Sequence, residues 1–424
     1  MFTLVSMREQ LQMDRESTDP RYILALDGGG MRGIVPAVLI HELATLLHTM
    51  GDQRPFYSHF DLIAGTSTGA LLALALTAPI SRTHLAIEGG GPSYAYRSAE
   101  PTFWQRVRKT RIEPEILGTI PWGADTGQLA QLYRDHGREI FPRSQSRLIS
   151  QIFIDKYDEE PLENFLQRTF GDIPLSDAVI PTLIMAYDAR AGAPYSMSSS
   201  DDHGFLFWEA ARASSAAPTY FKPAHLIDQK SGKELVLIDG GVVANNPSLY
   251  AYIEAKRLYP HAQSYHILSL STASSDFSFG GGAGTGVIGW IDPVKGAPIQ
   301  KIYASAQMQS VDQVASSIPE LSYTRIHAPL DHEFKLDETA APALAAMTAS
   351  AKRIFTKHQE QIKAYATQLV QRSSFDQLQL LPADAKRPQP PKRIPPPLER
   401  EHSSVLAMDN LLKRYLTIED EESR

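Results

Sequence analysis

The sequence of 424 residues contains no cysteine, and this absence removes several kinds of chemistry at once. Disulfide bonds, thiolate metal sites and cysteine nucleophiles are all excluded. The net charge of -7 offers no overall attraction for nucleic acid or for an anionic membrane. Hydrophobic residues make up 43% and charged residues 21%, as in an ordinary globular protein. Any nucleophile in this chain must therefore be something other than a thiol.

Long apolar runs are missing as well. The longest, Ala70–Leu76, is far shorter than the roughly 18–20 residues that a helix needs to cross a bilayer. Residues 1–20 mix short apolar patches with charged side chains, which is not the pattern of a secretory signal. We therefore expect a cytoplasmic or peripheral membrane protein that meets a membrane only from the side. Export by a route without a cleaved signal peptide stays open.

Two stretches near the N-terminus repeat the order of strand, glycine turn and helix. The apolar run Tyr22–Leu26 ends at the glycine-rich segment Asp27–Gly33, and Leu62–Ala64 ends at Gly65–Gly69. Apolar residues then recur at steps of three and four, as in a helix. Further along the chain, the pattern predicts more strands at Ile152–Asp155, Ile180–Asp188, Leu235–Ile238 and Tyr265–Leu270, and more helices at Thr126–Gly137, Trp208–Ala213 and Ala341–Gln371. Alternation of this kind predicts an α/β fold built on parallel strands.

Composition divides the chain into three segments. Residues 1–19 form an N-terminal lead-in, residues 20–372 a catalytic domain, and residues 373–424 a Pro-rich linker followed by an amphipathic helix. Residues 381–397 contain seven prolines, which is typical of an extended linker. Behind it, Val405, Met408 and Leu412 share one face of a helix. We expect this helix to dock on its own domain, with docking on a partner or membrane as the alternative.

Ser67 lies between Gly65 and Gly69, on the turn from a buried strand into a helix. This is the setting in which the serine of a G-x-S-x-G motif becomes a nucleophile. The glycines are needed because a Cβ beside so sharp a turn would clash with the strand and helix backbones. The helix N-terminus favours negative charge near Ser67. We interpret Ser67 as a nucleophile; a purely structural turn is the alternative.

The glycine segment before the first helix has two functional interpretations. Gly28, Gly30 and Gly33 match a dinucleotide-binding fingerprint, but Asp52, at the right distance for its acidic residue, lies in a polar loop. The same backbone N–H groups can instead form an oxyanion hole. Arg32 is a cation at a helix start, where the helix dipole disfavours it, and this favours a role in the site. A nucleotide-binding or interaction protein that uses this loop remains an alternative.

A base for Ser67 has several candidates. Asp239, followed by Gly240 and Gly241, comes at the end of a predicted strand, where α/β sheets place their sites. Four histidines could also complete a Ser-Asp-His order, so a triad stays open: His261, His266, His327 and His332. The chain has no H-E-x-x-H and no EF-hand sequence, so we expect no metal site.

Four of these stretches together resemble the patatin-like phospholipase family. In the order of that family they are Asp27–Gly33, Gly65–Gly69, Ala213–Phe221 and Asp239–Gly241, within roughly residues 20–272. The resemblance implies a three-layer α/β/α fold with a mainly parallel central sheet. It also implies a Ser-Asp dyad, with Ser67 as nucleophile and Asp239 as general base. Ala213–Phe221 is expected to pack beside the site, and the oxyanion hole to come from Gly28, Gly29, Gly30 and Arg32.

The expected activity is a phospholipase A type of lipid acyl hydrolysis through an acyl-enzyme. It requires no metal and no organic cofactor, and its partner is a lipid substrate at a membrane or micelle surface; we expect no nucleic acid partner. The alternatives are a Ser-His-Asp esterase and a lipid acyltransferase, since an acyl-enzyme can also be transferred to an alcohol. An enzyme held silent until a ligand or protein activates it also stays open.

Overall fold

The computed structural model describes residues 17–52, 54–79, 94–95, 119–120, 126–141, 157–273, 298–332 and 334–371. These residues all belong to the first of two units, Met1–Leu380. The expected boundary at residue 373, the Pro-rich linker, the C-terminal helix and the strand predicted at Ile152–Asp155 lie outside the described residues. They stay predictions.

Ten strands are present in the described residues. They are β1 (Arg21–Leu26), β2 (Leu62–Thr66), β3 (Tyr94–Ala95), β4 (Thr119–Ile120), β5 (Thr182–Asp188), β6 (Ala193–Ser198), β7 (Ala224–Asp228), β8 (Lys233–Asp239), β9 (Tyr265–Leu270) and β10 (Leu321–Ile326). β3 and β4 form a separate antiparallel pair. The other eight form one sheet in the order β10-β9-β1-β2-β5-β8-β7, with β6 also paired to β5.

The helices of the described residues connect these strands and cover the sheet. They are α1 (Ile34–Thr49), α2 (Thr68–Thr77), α3 (Thr126–Ile140), α4 (Glu160–Phe170), α5 (Phe207–Ser214), α6 (Gly241–Ala244), α7 (Ser248–Leu258), α8 (Pro298–Ser317), α9 (Ala341–Lys357) and α10 (Gln359–Gln371). The helices predicted from Thr126 and around Trp208–Ala213 correspond to α3 and α5.

Each central strand contributes to two hydrophobic cores. In β1, Leu24 and Leu26 belong to the larger core, which includes α1, α2 and α9. Ile23 and Ala25, on the other face, belong to a smaller core with α6 and α7. Successive side chains of a strand point to opposite faces, so the sheet is covered on both sides. The predicted three-layer α/β/α fold is confirmed.

Five of the eight strands in this sheet are mutually parallel, and the other three are antiparallel to them or to each other. β10, β9, β1, β2 and β5 are parallel neighbours, which confirms the predicted parallel arrangement. β6 and β8 both pair antiparallel with β5, and β7 pairs antiparallel with β8. The strand predicted at Leu235–Ile238 is therefore present but reversed. Its register still serves the site: Asp239 lies opposite Ala186, and the preceding Met185 lies opposite Thr66, the residue before Ser67.

One helical segment differs from its sequence-based expectation. The helix predicted from Ala341 to Gln371 is two helices, α9 and α10, divided at His358. The His358 ring is hydrogen-bonded to the His327 carbonyl and to Gln361, contacts that hydrophobic periodicity does not reveal. The stretch Gly30–Thr49 is long and apolar enough to cross a membrane by composition. It packs in the core, because most of α1 is buried.

Candidate active site

Ser67 sits on a strained turn between β2 and α2. Its φ of 54° and ψ of -121° are unusual for a residue with a side chain. The flanking glycines permit this path because the backbones nearly touch. A Cβ on Gly65 would lie 2.3 Å from the Gly69 carbonyl oxygen, and a Cβ on Gly69 would lie 2.2 Å from the Leu26 carbonyl oxygen. The turn therefore holds Ser67 at the N-terminus of α2 and close to the end of β1.

Ser214 fixes the backbone of this turn. The Ser67 N–H donates a 2.8 Å hydrogen bond to the Ser214 hydroxyl, which in turn donates to the Met185 carbonyl at 2.6 Å. Ser214 is fully buried at the end of α5. The expectation that Ala213–Phe221 serves only for packing is therefore incomplete, because one of its hydroxyls connects the Ser67 turn to β5. The small residues of that block gave a signal for close packing but none for this bond.

Asp239 reaches Ser67 from β8. The Ser67 hydroxyl lies close enough to the Asp239 carboxylate to lower its pKa, and the Gly241 N–H donates to Asp239 Oδ1 at 2.7 Å. Burial raises the pKa of Asp239 from 3.8 to about 6, although these two groups oppose the increase. Gly240 allows the turn after β8 to lie against β5, since a Cβ there would be 2.4 Å from the Met185 oxygen. Near neutral pH, Asp239 is thus a carboxylate able to accept a proton.

The glycine segment Gly28–Gly30 lies beside the serine. A Cβ on Gly28 would be 3.2 Å from the Ser67 Cβ. Gly30 has a φ of +55°, and a Cβ there would meet the Leu336 carbonyl oxygen at 2.3 Å, so no other residue fits. The Gly28 N–H donates to the Asn245 carbonyl at 3.0 Å. In the part of the chain that the structure describes, the N–H groups of Gly29 and Gly30 have no such acceptor.

This pattern corrects the expected oxyanion hole. Gly29 and Gly30 line the cavity next to Ser67, whereas Gly28 does not and its amide is already bonded. The Gly28 carbonyl also accepts a hydrogen bond from the Thr272 hydroxyl at 2.7 Å. Gly28 therefore anchors the loop, and the available donors are the two glycines that follow.

Arg32 and Gly33 complete this loop. Arg32 lines the cavity, and its Nε is 3.4 Å from the Gly29 carbonyl oxygen, so its cation lies close to the loop that carries the free amides. A Cβ on Gly33 would lie 2.1 Å from the Thr68 hydroxyl. That hydroxyl is bonded to Tyr133 at 2.6 Å. Gly33 thus allows the loop to pack against the start of α2.

The base of the glycine loop is held by a buried ion pair. Both nitrogens at the end of Arg325 donate to Asp27, at 2.8 and 2.6 Å, and one of them also donates to the Ser269 hydroxyl at 2.7 Å. Asp27 is completely buried. Arg325 lies on β10, so this pair ties an edge region of the sheet to the residue that precedes Gly28. No sequence motif pointed to Arg325.

A cavity of about 820 Å³ opens next to Ser67 and Asp239. Its walls are mainly apolar and come from α2, α3, α4 and the segment after α5; they include Leu72, Phe141, Leu162, Phe165, Phe170 and Phe221. Leu72, Leu162 and Phe170 are each only 2% exposed, so this part of the cavity reaches into the core. Its polar lining includes Ser67, Asp239 and the glycine loop. Such a site fits a long apolar group with one polar reacting centre.

The four candidate histidines lie elsewhere. None of them is among the described residues that line the cavity. His266 stacks on Tyr22, with ring centres 4.9 Å apart, and His327 is bonded to the Ser271 hydroxyl at 2.8 Å. His332 packs edge-on against Phe334. The structure therefore brings Ser67 together with Asp239, and it brings no described histidine to either of them.

Comparisons with known proteins agree on one family. A family model described as patatin-like phospholipase matches residues 24–252. "Patatin-like protein 2" of Arabidopsis thaliana is 30% identical over 336 residues, which cover 72% of this chain and 74% of that protein. A protein of Pseudomonas aeruginosa named "cGAMP-activated phospholipase" is 29% identical over 275 residues, covering 62% of this chain and 65% of that protein.

A solved structure, that of VipD from Legionella pneumophila, aligns with 80% of this chain and 67% of its own. The sequence identity is 13% and the TM-score 0.32, values too low to add to the fold assignment.

Proposed function

This chain belongs to the patatin-like phospholipase family, whose members hydrolyse lipid esters, and on that premise we propose a phospholipase A mechanism that uses Ser67 and Asp239. The observation that carries the proposal is the close approach of these two side chains at the wall of a deep apolar cavity. A hydroxyl beside a carboxylate of raised pKa is a nucleophile with its base in place.

The proposed reaction begins with attack by the Ser67 oxygen on the acyl carbonyl. Asp239 accepts the hydroxyl proton, and the N–H groups of Gly29 and Gly30 stabilise the oxyanion. Asp239 returns the proton to the alcohol or lysolipid that leaves, and the acyl chain remains on Ser67 as an ester. Asp239 then takes a proton from water, the resulting hydroxide attacks the ester, and the fatty acid leaves as Ser67 regains its proton.

The absence of a histidine from the dyad suits this class of substrate. The alcohol leaving group of a lipid ester needs less acid assistance than the amine of a peptide. A carboxylate whose pKa is about 6 can therefore serve as base near neutral pH and then return the proton. We propose that the acyl chain of a phospholipid or lysophospholipid occupies the apolar cavity beside Ser67.

Fatty-acid release tests the proposal directly. We expect release from a panel of phospholipids, lysophospholipids and neutral lipids, and a fall of at least about a thousandfold in Ser67→Ala and in Asp239→Asn. Both variants should remain folded by circular dichroism. His266→Ala and His327→Ala are the matched controls and should keep their activity. Full activity in Asp239→Asn with loss in either histidine variant would indicate a Ser-His-Asp esterase instead.

Two further measurements separate the remaining alternatives. A new ester formed when an alcohol is added would indicate acyl transfer. Failure of a fluorophosphonate to label Ser67 would favour a nucleotide-binding or interaction protein that uses the glycine loop. Because one relative is named for activation by cGAMP, each assay is run with and without cGAMP. Turnover only in its presence would make this an enzyme controlled by a ligand.

A further inference from the structure

Beyond Lys301, the helix α8 lines one side of the cavity and carries mostly neutral side chains. Tyr303, Gln307 and Met308 of this helix line the cavity. Between residues 302 and 317 the only charged residue is Asp312. The Tyr323 hydroxyl donates to its carboxylate at 2.6 Å, and the Asn246 side-chain amide donates at 3.3 Å. Asp312 is thus engaged with the protein, and the fully exposed positions of this stretch are all neutral, in a chain with 21% charged residues.

Large apolar side chains project from the same surface. Tyr303 is 72% exposed and Val314 is 47% exposed. They are eleven residues apart, which is about three helical turns, so they lie on the same face of α8. Val242, 50% exposed, adjoins them, because the Gln307 side chain donates to its carbonyl at 3.3 Å. Val242 and Tyr303 both line the cavity. We name Val242, Tyr303 and Val314, with the neutral exposed positions of α8, the rim face.

We propose that the rim face docks on the surface of a phospholipid bilayer, so that an acyl chain passes from the bilayer into the cavity beside Ser67. This inference rests on the proposed function. Long-chain phospholipids reside in bilayers, so a cavity that takes their acyl chains must open where the bilayer touches the protein. A surface without charges enters the interface without the cost of removing water from ions. Tyrosine is suited to the level of the lipid headgroups, where its ring is buried and its hydroxyl is wet.

The composition of the rim face also predicts which force attracts it to a bilayer. No charged side chain in the described part of the rim face can pair with an anionic headgroup. Binding should therefore come from apolar contact and be insensitive to salt. Vesicles of neutral phosphatidylcholine should bind the protein as well as vesicles that contain phosphatidylglycerol do.

Vesicle sedimentation tests docking separately from turnover. Full-length Ser67→Ala protein is sedimented with phosphatidylcholine vesicles, alone and with a second substitution, Val314→Glu or Ile227→Glu. Ile227 is the matched control: it is 60% exposed on β7, at the opposite edge of the sheet from β10. We expect Val314→Glu to lower the partition coefficient at least about tenfold, since a carboxylate is costly in the interface. Ile227→Glu should bind like the parent, in low and in high salt.

Activity on a soluble ester distinguishes failure of docking from failure of the proposed function. Val314 does not line the cavity, so Val314→Glu with Ser67 intact should hydrolyse p-nitrophenyl butyrate at the parental rate while it loses activity on vesicles. Absence of soluble turnover in the parent would overturn the proposed function, and vesicle binding would still report on docking. The docking inference would be overturned if Val314→Glu bound vesicles as well as the parent does. It would also be overturned if Ile227→Glu lost as much binding as Val314→Glu, or if high salt abolished binding. Absence of vesicle binding by the parent would also overturn it, and a dimer that Val314→Glu dissociates would then assign the rim face to contact between two copies of the chain.

Discussion

Burial determines the chemistry of Asp239. A carboxylate with a pKa of 3.8 would be a weak base, and removal of water raises the pKa of this one to about 6. The Ser67 hydroxyl and the Gly241 N–H favour the charged form and keep the pKa from rising further. The group is therefore largely ionised at neutral pH and still basic enough to take a proton from a serine.

The pH dependence of turnover should report this pKa. We expect kcat/KM on a soluble ester to rise with pH and reach a plateau above about pH 6, because only the carboxylate form of Asp239 accepts the Ser67 proton. Below that pH, kcat/KM should fall about tenfold per pH unit. The same profile is expected in His266→Ala and His327→Ala. A midpoint that moves when one of these histidines is removed would assign the base to histidine.

Stability should vary with pH in the opposite sense. The folded protein binds the Asp239 proton more tightly than the unfolded chain does, so this group stabilises the fold fully below about pH 4. That contribution is lost as the pH rises through about 6. Asp239→Asn cannot ionise, and it should gain up to about 3 kcal/mol relative to the parent between pH 4 and pH 8. Urea unfolding at the two pH values measures the difference, and no change would contradict the raised pKa.

Ser214 should affect the rate of turnover without contacting the substrate. In Ser214→Ala the Ser67 N–H loses its acceptor and the Met185 carbonyl loses its donor. We expect the strained turn to shift, with a fall in kcat of at least about tenfold, little change in KM, and a loss of about 1–3 kcal/mol in unfolding free energy. Ser215→Ala is the control, since that hydroxyl is buried without a partner among the described residues. Equal effects of the two substitutions would remove the special role of Ser214.

Among the structural elements, the edge strand β10 stabilises the start of the glycine loop. Through Arg325 it neutralises Asp27, which is completely buried where β1 gives way to the glycine loop. A buried charge is tolerated only with its partner in place. The edge strand therefore helps to hold the loop that carries the Gly29 and Gly30 amides.

Removal of this partner should be costly. In Arg325→Leu the Asp27 carboxylate stays buried without a counter-ion, and we expect a loss of about 3–5 kcal/mol in unfolding free energy, measured with urea. The double variant Asp27→Asn, Arg325→Gln leaves no unpaired charge and should recover part of that loss. If the loss in the double variant equals the sum of the losses in Asp27→Asn alone and in Arg325→Gln alone, the two side chains do not act as a pair.

At the scale of the whole molecule, the features of the site that came from local sequence could be predicted. Ser67 and its flanking glycines are neighbours in the chain, and the steric demand of the turn is visible in them. The direction of β8 could not be predicted, because a short apolar run has the same pattern whether its strand pairs parallel or antiparallel. Ser214, Arg325 and Asn245 were missed for a related reason: each acts through a contact with a distant segment, and nothing in its own neighbourhood marks it.

The pairing of β2, β5 and β8 also bears on the order of events when the protein folds. Thr66 lies opposite Met185, and Asp239 lies opposite the next residue, so Ser67 and Asp239 meet only after segments distant in the sequence have joined. Local helices can form early, whereas closing such long loops is slow. Turnover by the proposed mechanism should thus be among the last properties a refolding chain acquires, well after its helical content. A molecule caught midway would look structured to spectroscopy while Asp239 was still remote from Ser67.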